Sequence, residues 1–136
     1  MVNKIIIVLF LLASFLGSQP LMAQEEGTGK WELLGVRVIP FTSDRDVIPV
    51  TNNKGIYRAI KLRVFNGNIK IYRFVVFFDN GSSQEFPVNH VIKKGAVTGV
   101  RELKGNTRAI NRIELWYNGT KGSTGRTVNI QAWGLS

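Results

Sequence analysis

From residue 31 onward, apolar and polar residues alternate in short runs with a period of two. Trp31 to Ile39 sets Leu34, Val36 and Val38 on one face and Arg37 on the other, and Pro40 ends the run. Ile56 to Phe65 turns Ile60, Leu62 and Val64 inward and Lys61 and Arg63 outward. Ile69 to Phe78 begins as an alternation of Ile69 and Ile71 with Lys70 and Tyr72, then becomes apolar on both faces from Phe74. That stretch predicts a central strand, buried on both sides or covered by a loop. Arg108 to Tyr117 separates Ile113, Leu115 and Tyr117 from Arg112, Glu114 and Trp116. Thr127 to Trp133 alternates Val128, Ile130 and Ala132 with polar residues. Val47–Val50, Gln84–Val88 and Val97–Leu103 are shorter runs, and Pro49 and Pro87 mark the first two as edge strands or irregular ones.

Turn-forming clusters punctuate these runs at Thr51–Gly55, Asp79–Ser82, Lys93–Gly95, Lys104–Asn106 and Asn118–Gly125. Asn66-Gly67 is the strongest hairpin signal in the chain and predicts that the strands on either side of it pair. About eight strands with a turn every roughly 8–12 residues define an all-β protein, a single antiparallel β-sandwich. A helix over Arg108–Tyr117 is the rival local reading, and its β-branched and aromatic content opposes it. Whether the topology is immunoglobulin-like or a jelly roll is left open by the pattern.

The first 23 residues break the pattern. Lys4 precedes an apolar run from Ile5 to Leu16, and a more polar segment then ends at Ala23. This is the layout of a secretory signal peptide, with cleavage expected between Ala23 and Gln24. The apolar run is shorter than the roughly twenty residues a membrane-spanning helix needs. The expected organisation is a signal peptide at 1–23, a flexible lead-in at 24–30 and a β-sandwich domain at 31–136. After cleavage the chain is not expected to be an integral membrane protein. The absence of cysteine excludes a lipid-modified cysteine, disulfides, a thiol nucleophile and cysteine-ligated metals. A disulfide-free exported domain suits a bacterial periplasm or secretion from a bacterium.

Charge narrows the partners. The chain carries eighteen Lys and Arg against nine Asp and Glu, a net charge of +9. Without residues 1–23 it keeps seventeen basic residues against nine acidic, a net of +8. Such an excess favours envelope polyanions, including anionic glycans, lipopolysaccharide and phospholipid headgroups. No motif specific to DNA or RNA binding accompanies it.

Several motifs occur together in one order: D-R-D-x-I-x-V (Asp44 to Val50), R-A-I-K-L-R-V (Arg58 to Val64), F-x-N-G (Phe78 to Gly81), L-K-G-N-T-R-A-I-N-R-I-E-L-W-Y (Leu103 to Tyr117) and a closing W-G (Trp133-Gly134). In this the chain resembles a family of small exported bacterial β-rich domains of unknown function. The resemblance implies a secreted β-rich domain and brings with it no activity, cofactor or catalytic residue.

Four groups of residues bear on chemistry. Asp44-Arg45-Asp46 offers two carboxylates, but a calcium site needs six to eight oxygens and Arg45 is a poor neighbour for a cation. A turn, with an aspartate accepting backbone amides and pairing with an arginine of a distant strand, fits better, and Arg108 and Arg112 are the expected partners. His90 is the only histidine, and Ser82 and Ser83 lie in a hairpin turn without a nucleophile-elbow motif. Glu85, Glu102 and Glu114 occupy solvent-facing strand positions by alternation, so no carboxylate pair suited to glycoside hydrolysis stands out. No catalytic residue, metal site or cofactor is therefore expected, and the protein reads as a non-enzyme. The fourth group is a basic and aromatic surface on which Arg58, Arg63, Arg73, Arg112 and Trp116 are the expected ligand-binding residues, with Lys61, Tyr72 and Trp133 nearby. The expected function is a non-catalytic binding or envelope-accessory module that recognises an anionic glycan or another polyanion. The alternative is a structural module that docks to an envelope protein.

Overall fold

Eight strands pair into two antiparallel sheets of four. The computed structural model describes residues 29–51, 55–119 and 127–136. The strands are β1 (Trp31–Ile39), β2 (Arg45–Pro49), β3 (Ala59–Phe65), β4 (Ile69–Phe78), β5 (Ser83–Ile92), β6 (Arg101–Glu102), β7 (Ile110–Tyr117) and β8 (Val128–Leu135). The first sheet has the order β1-β8-β3-β6 and the second β2-β7-β4-β5. The expected signal peptide, most of the expected lead-in, residues 52–54 of the first predicted turn and most of the Asn118–Gly125 loop lie outside the described residues. Among the described residues no helix is long and apolar enough to cross a membrane.

The inward faces of the two sheets form one core. Ile60, Leu62 and Val64 of β3 and Val128, Ile130 and Ala132 of β8 meet Ile71, Phe74 and Val76 of β4 and Ile113, Leu115 and Tyr117 of β7. The period-two alternation places them there, because successive side chains of a strand leave opposite faces. Phe41 packs edge-on to Tyr117, with centroids 5.9 Å apart.

Three expectations change. First, Asn66-Gly67 does not close a hairpin. β3 and β4 lie in different sheets, so the turn carries the chain across the sandwich, with Asn66 at φ 73°. The hairpin is the next one, β4 to β5. There Phe78 N–H donates to Ser82 O at 2.9 Å and Gly81 adopts φ 91°. Second, Val36 and Val38 face outward and are 45% and 50% exposed. A bulge between Leu33 and Gly35 inserts a residue at Leu34 and inverts the parity of the rest of β1. Arg37 thus takes the inward parity at the sheet edge. Third, the run Val97–Leu103 yields only the two-residue β6 and an isolated bridge from Val97 to Arg63. Gly95, Ala96 and Thr98 hydrogen-bond the free edge of β3 instead, at Val64 and Leu62.

The edge strands β1 and β2 close one side of the sandwich. Thr51 N–H donates to Leu34 O at 3.1 Å. A side chain at Gly35 would place Cβ 2.3 Å from the carbonyl oxygen of Pro49, so only glycine permits this approach.

Candidate functional site

The outer face of the second sheet is built in rungs across its strands. Pairing aligns Arg45, Trp116, Arg73 and Pro87 in one rung, Val47, Glu114, Val75 and Glu85 in the next, and Pro49, Arg112, Phe77 and Ser83 in a third. The Arg73 guanidinium lies 3.7 Å from the centroid of the Trp116 ring, and that of Arg45 lies 5.5 Å from it. Arg112 lies 3.9 Å over Phe77. Arginine side chains, and not a loop, therefore cover the apolar outer side of β4. Glu114 accepts from Arg45 Nη2 at 2.7 Å and from Arg112 Nε at 2.9 Å. Its residue exposure is 7%, so alternation misassigned it to solvent. The hydrogen bond from Arg45, helped by Arg112, holds the Glu114 carboxyl below its ordinary value of 4.5 against the opposing effect of burial. Arg73 reaches Glu85 at 3.5 Å. The three arginines of this face thus share two carboxylates, Glu114 and Glu85.

The outer face of the first sheet differs. Beyond a first rung of Trp31, Leu135, Ala59 and Glu102, its rungs are Leu33, Trp133 and Lys61; Val36, Gln131 and Arg63; and Val38, Asn129 and Phe65. One column is apolar, the middle carries an indole and two amides, and the third carries two cations and a ring. Adjacent columns are about 4.8 Å apart and adjacent rungs about 6.8 Å. Lys61 Nζ sits 4.0 Å from the centroid of the Trp31 ring, and the Arg63 guanidinium is 5.1 Å from that of Phe65. Trp133 Nε1 donates to Gln131 Oε1 at 3.0 Å, which orients the amide. Among the described residues neither Lys61 nor Arg63 has a carboxylate within salt-bridge distance.

The residues expected to share one surface therefore divide between two. Arg73, Arg112 and Trp116 meet on the second sheet. Arg63 lies on the first, and exposed Arg58 stands just before β3 of that sheet. Arg45, Gln131 and Asn129 also stand on these faces, beyond the residues expected from the sequence. Alternation did turn Gln131 and Asn129 outward between Val128, Ile130 and Ala132. Strand order, which decides their neighbours, is not written in any one run.

Asp44-Arg45-Asp46 is a junction between the sheets. Asp44 Oδ1 accepts from Gly119 N–H at 3.1 Å, and its carbonyl accepts from Tyr117 N–H at 3.0 Å. Asp46 Oδ1 accepts from Arg37 Nε at 2.6 Å and from Val47 N–H at 3.2 Å. The Tyr117 hydroxyl donates to Asp46 Oδ2 at 3.3 Å, and burial pushes that phenol above its ordinary value. The arginine partner is Arg37 and neither Arg108 nor Arg112. The bulge in β1 turns Arg37 toward the opposite edge strand, where Asp46 also takes the inward parity. Arg108 instead donates to Lys104 O at 2.8 Å and to Ser82 Oγ at 2.7 Å. Arg112 belongs to Glu114. Among the described residues no group of three His, Asp or Glu is placed to hold a metal ion. His90 Nδ1 lies 2.8 Å from Val88 O, on the edge strand β5.

These features define an antiparallel β-sandwich in which the arginines of one outer face pair with carboxylates, while Lys61 and Arg63 of the other do not. The chain belongs to DUF2541, described as a domain of unknown function, whose profile matches residues 5–134. No curated protein matches it. Among solved structures it is similar to part of AlgX from Pseudomonas aeruginosa, at 11% identity and a TM-score of 0.45 over 77% of this chain. The match spans 27% of the AlgX chain, about a quarter of its length.

Proposed function

We propose that the protein is a non-catalytic recognition module of the bacterial envelope, and that it binds an anionic glycan on the outer face of the β1-β8-β3-β6 sheet. The observation that carries this is the pair Lys61 and Arg63, free of carboxylates and set beside Trp133 and Gln131. A sugar ring presents an apolar face to an indole, hydroxyls to amides, and an acidic group to a guanidinium. The three columns offer these partners side by side. The signal-peptide pattern of residues 1–23 supports an exported location, periplasmic or secreted. A second reading has its own support. Val36 and Val38 are half exposed on an edge strand of the same face, which suits docking to an envelope protein.

The test is a titration of residues 24–136 with polygalacturonate and with neutral dextran at low and at physiological salt. Polygalacturonate binding is expected to survive physiological salt, and dextran binding to be absent. The double substitution of Lys61→Ala and Arg63→Ala should weaken binding about tenfold or more, as the loss of two charge-assisted contacts implies. Arg112→Ala, on the outer face of the second sheet, should leave it unchanged. Equal losses from both faces would reduce the effect to bulk charge and sink the proposal.

A further inference from the structure

A depression of about 420 Å³ lies where the β4–β5 turn meets the segment between β6 and β7. Phe78, Ser83, Glu85, Lys104 and Arg108 are among the residues that line it. It is separate from the outer face of the first sheet.

Arg108 is held there in a fixed pose. Its guanidinium lies 3.8 Å from the centroid of the Phe78 ring. Nη1 donates to Lys104 O at 2.8 Å, and Nη2 donates to Ser82 Oγ at 2.7 Å and, at a longer 3.5 Å, to Asn80 Oδ1. Ser82 Oγ in turn donates to Asn80 Oδ1 at 2.7 Å. Gly105 leaves room for this pose, since a Cβ there would come within 3.2 Å of Nη1. Every acceptor in this set is neutral, and among the described residues no carboxylate lies within salt-bridge distance of Arg108. A guanidinium has five N–H donors, so some remain for a ligand. Lys104 is fixed through its backbone, whose N–H donates to Gln84 Oε1 at 2.9 Å, while its side chain makes no salt bridge among the described residues. The cost of ordering the arginine is met before any ligand arrives.

The other wall limits the charge a ligand can carry. Glu85 is exposed, and its carboxylate lies 3.5 Å from Arg73 Nη1. Its carboxylate accepts from hydroxyls and repels a second negative charge. The volume exceeds that of a simple inorganic anion and falls within the ordinary range for small-molecule pockets, roughly 300–1,000 Å³.

We propose that this depression is a second binding site, and that it takes a compact monocarboxylate rich in hydroxyls, of the sugar-acid class. The carboxylate faces Arg108 and Lys104, and the hydroxyls meet Glu85 and Ser83.

The experiment is an NMR titration of residues 24–136 with D-glucuronate, D-glucose and inorganic phosphate. D-Glucuronate is expected to shift the amides of residues 82–85 and 104–108 saturably. D-Glucose should bind about tenfold more weakly or not at all, as the loss of the charged contact implies. Because Arg108→Gln risks unfolding the turn, Lys104→Gln is the main variant and should weaken D-glucuronate several-fold. Glu85→Gln should raise the affinity for phosphate. Arg63→Ala should leave the site unaffected, so its failure and that of the sheet face are distinguishable. Equal binding of glucose, phosphate as tight as glucuronate, or no response to Lys104→Gln would each overturn the proposal.

Discussion

Replacing Glu114 with Gln removes a charge but almost no volume. In the folded protein the carboxylate accepts from Arg45 and Arg112, and its side chain is only 9% exposed. Hydrogen bonds to charged groups contribute about 1.5–3 kcal/mol each. Two corrections reduce the loss. Glutamine keeps one acceptor oxygen, and the arginine side chains, 53% and 39% exposed, regain water. The expected destabilisation is then about 2 kcal/mol. At about 2.1 cal/mol/K of unfolding entropy per residue, for a domain spanning residues 31–136, that lowers the Tm by about 9 °C. The effect must also depend on pH. The folded-state pKa of Glu114 lies below its ordinary value of 4.5, so its stabilisation is present above that value and is lost as pH falls through the folded pKa. Urea denaturation of the wild type and Glu114→Gln in steps from pH 7 downward should show a gap that closes below pH 4.5. A gap under about 0.5 kcal/mol at pH 7, or one that persists unchanged into acid, would refute the reasoning.

Two further substitutions probe the join between the sheets. Asp46→Asn should cost about 1–2 kcal/mol through the loss of the Arg37 contact, and a double-mutant cycle with Arg37→Met should return a coupling of about 1 kcal/mol. A Tm that rises with added calcium in the wild type and not in Asp46→Asn would restore the metal reading of this stretch. Gly35→Ala should destabilise by about 3 kcal/mol or more, because the methyl group meets backbone rather than a movable side chain. Thermal melting followed by circular dichroism checks it, and a loss under about 1 kcal/mol would mean the edges separate easily.

The strand content was legible because period two is a local property. The faces of β3, β7 and β8 follow directly from their alternation. What failed was whatever depends on a partner. Leu34 looks like any other strand leucine, and the bulge it forms is visible only against β8. Asn66-Gly67 reads as a hairpin because the signal describes a turn, and not where the next strand pairs. Glu114 reads as exposed because its own strand says nothing of Arg45, which pairs in from β2. The candidate surface suffered likewise, since Arg63 and Arg73 sit on consecutive outward-facing runs that belong to opposite sheets. The sequence expects either Asp44 or Asp46 to pair with an arginine downstream, but the pair is Asp46 with Arg37, which the bulge turns toward it.

The chain changes sheet at every connection except the one between β4 and β5. This has a kinetic consequence. Only that hairpin can form from neighbouring segments, and every other ladder joins strands far apart in sequence. β8, the last strand of the sandwich, lies between β1 and β3, and neither can pair with the other in its absence. The first sheet therefore cannot assemble until the chain is available through residue 135. Loop closure must be met before these distant contacts stabilise anything, which places folding in the slow, milliseconds-to-seconds class of all-β domains. A nascent chain held short of β8 would keep its apolar strands open to chaperones, and release of that last strand would start cooperative folding.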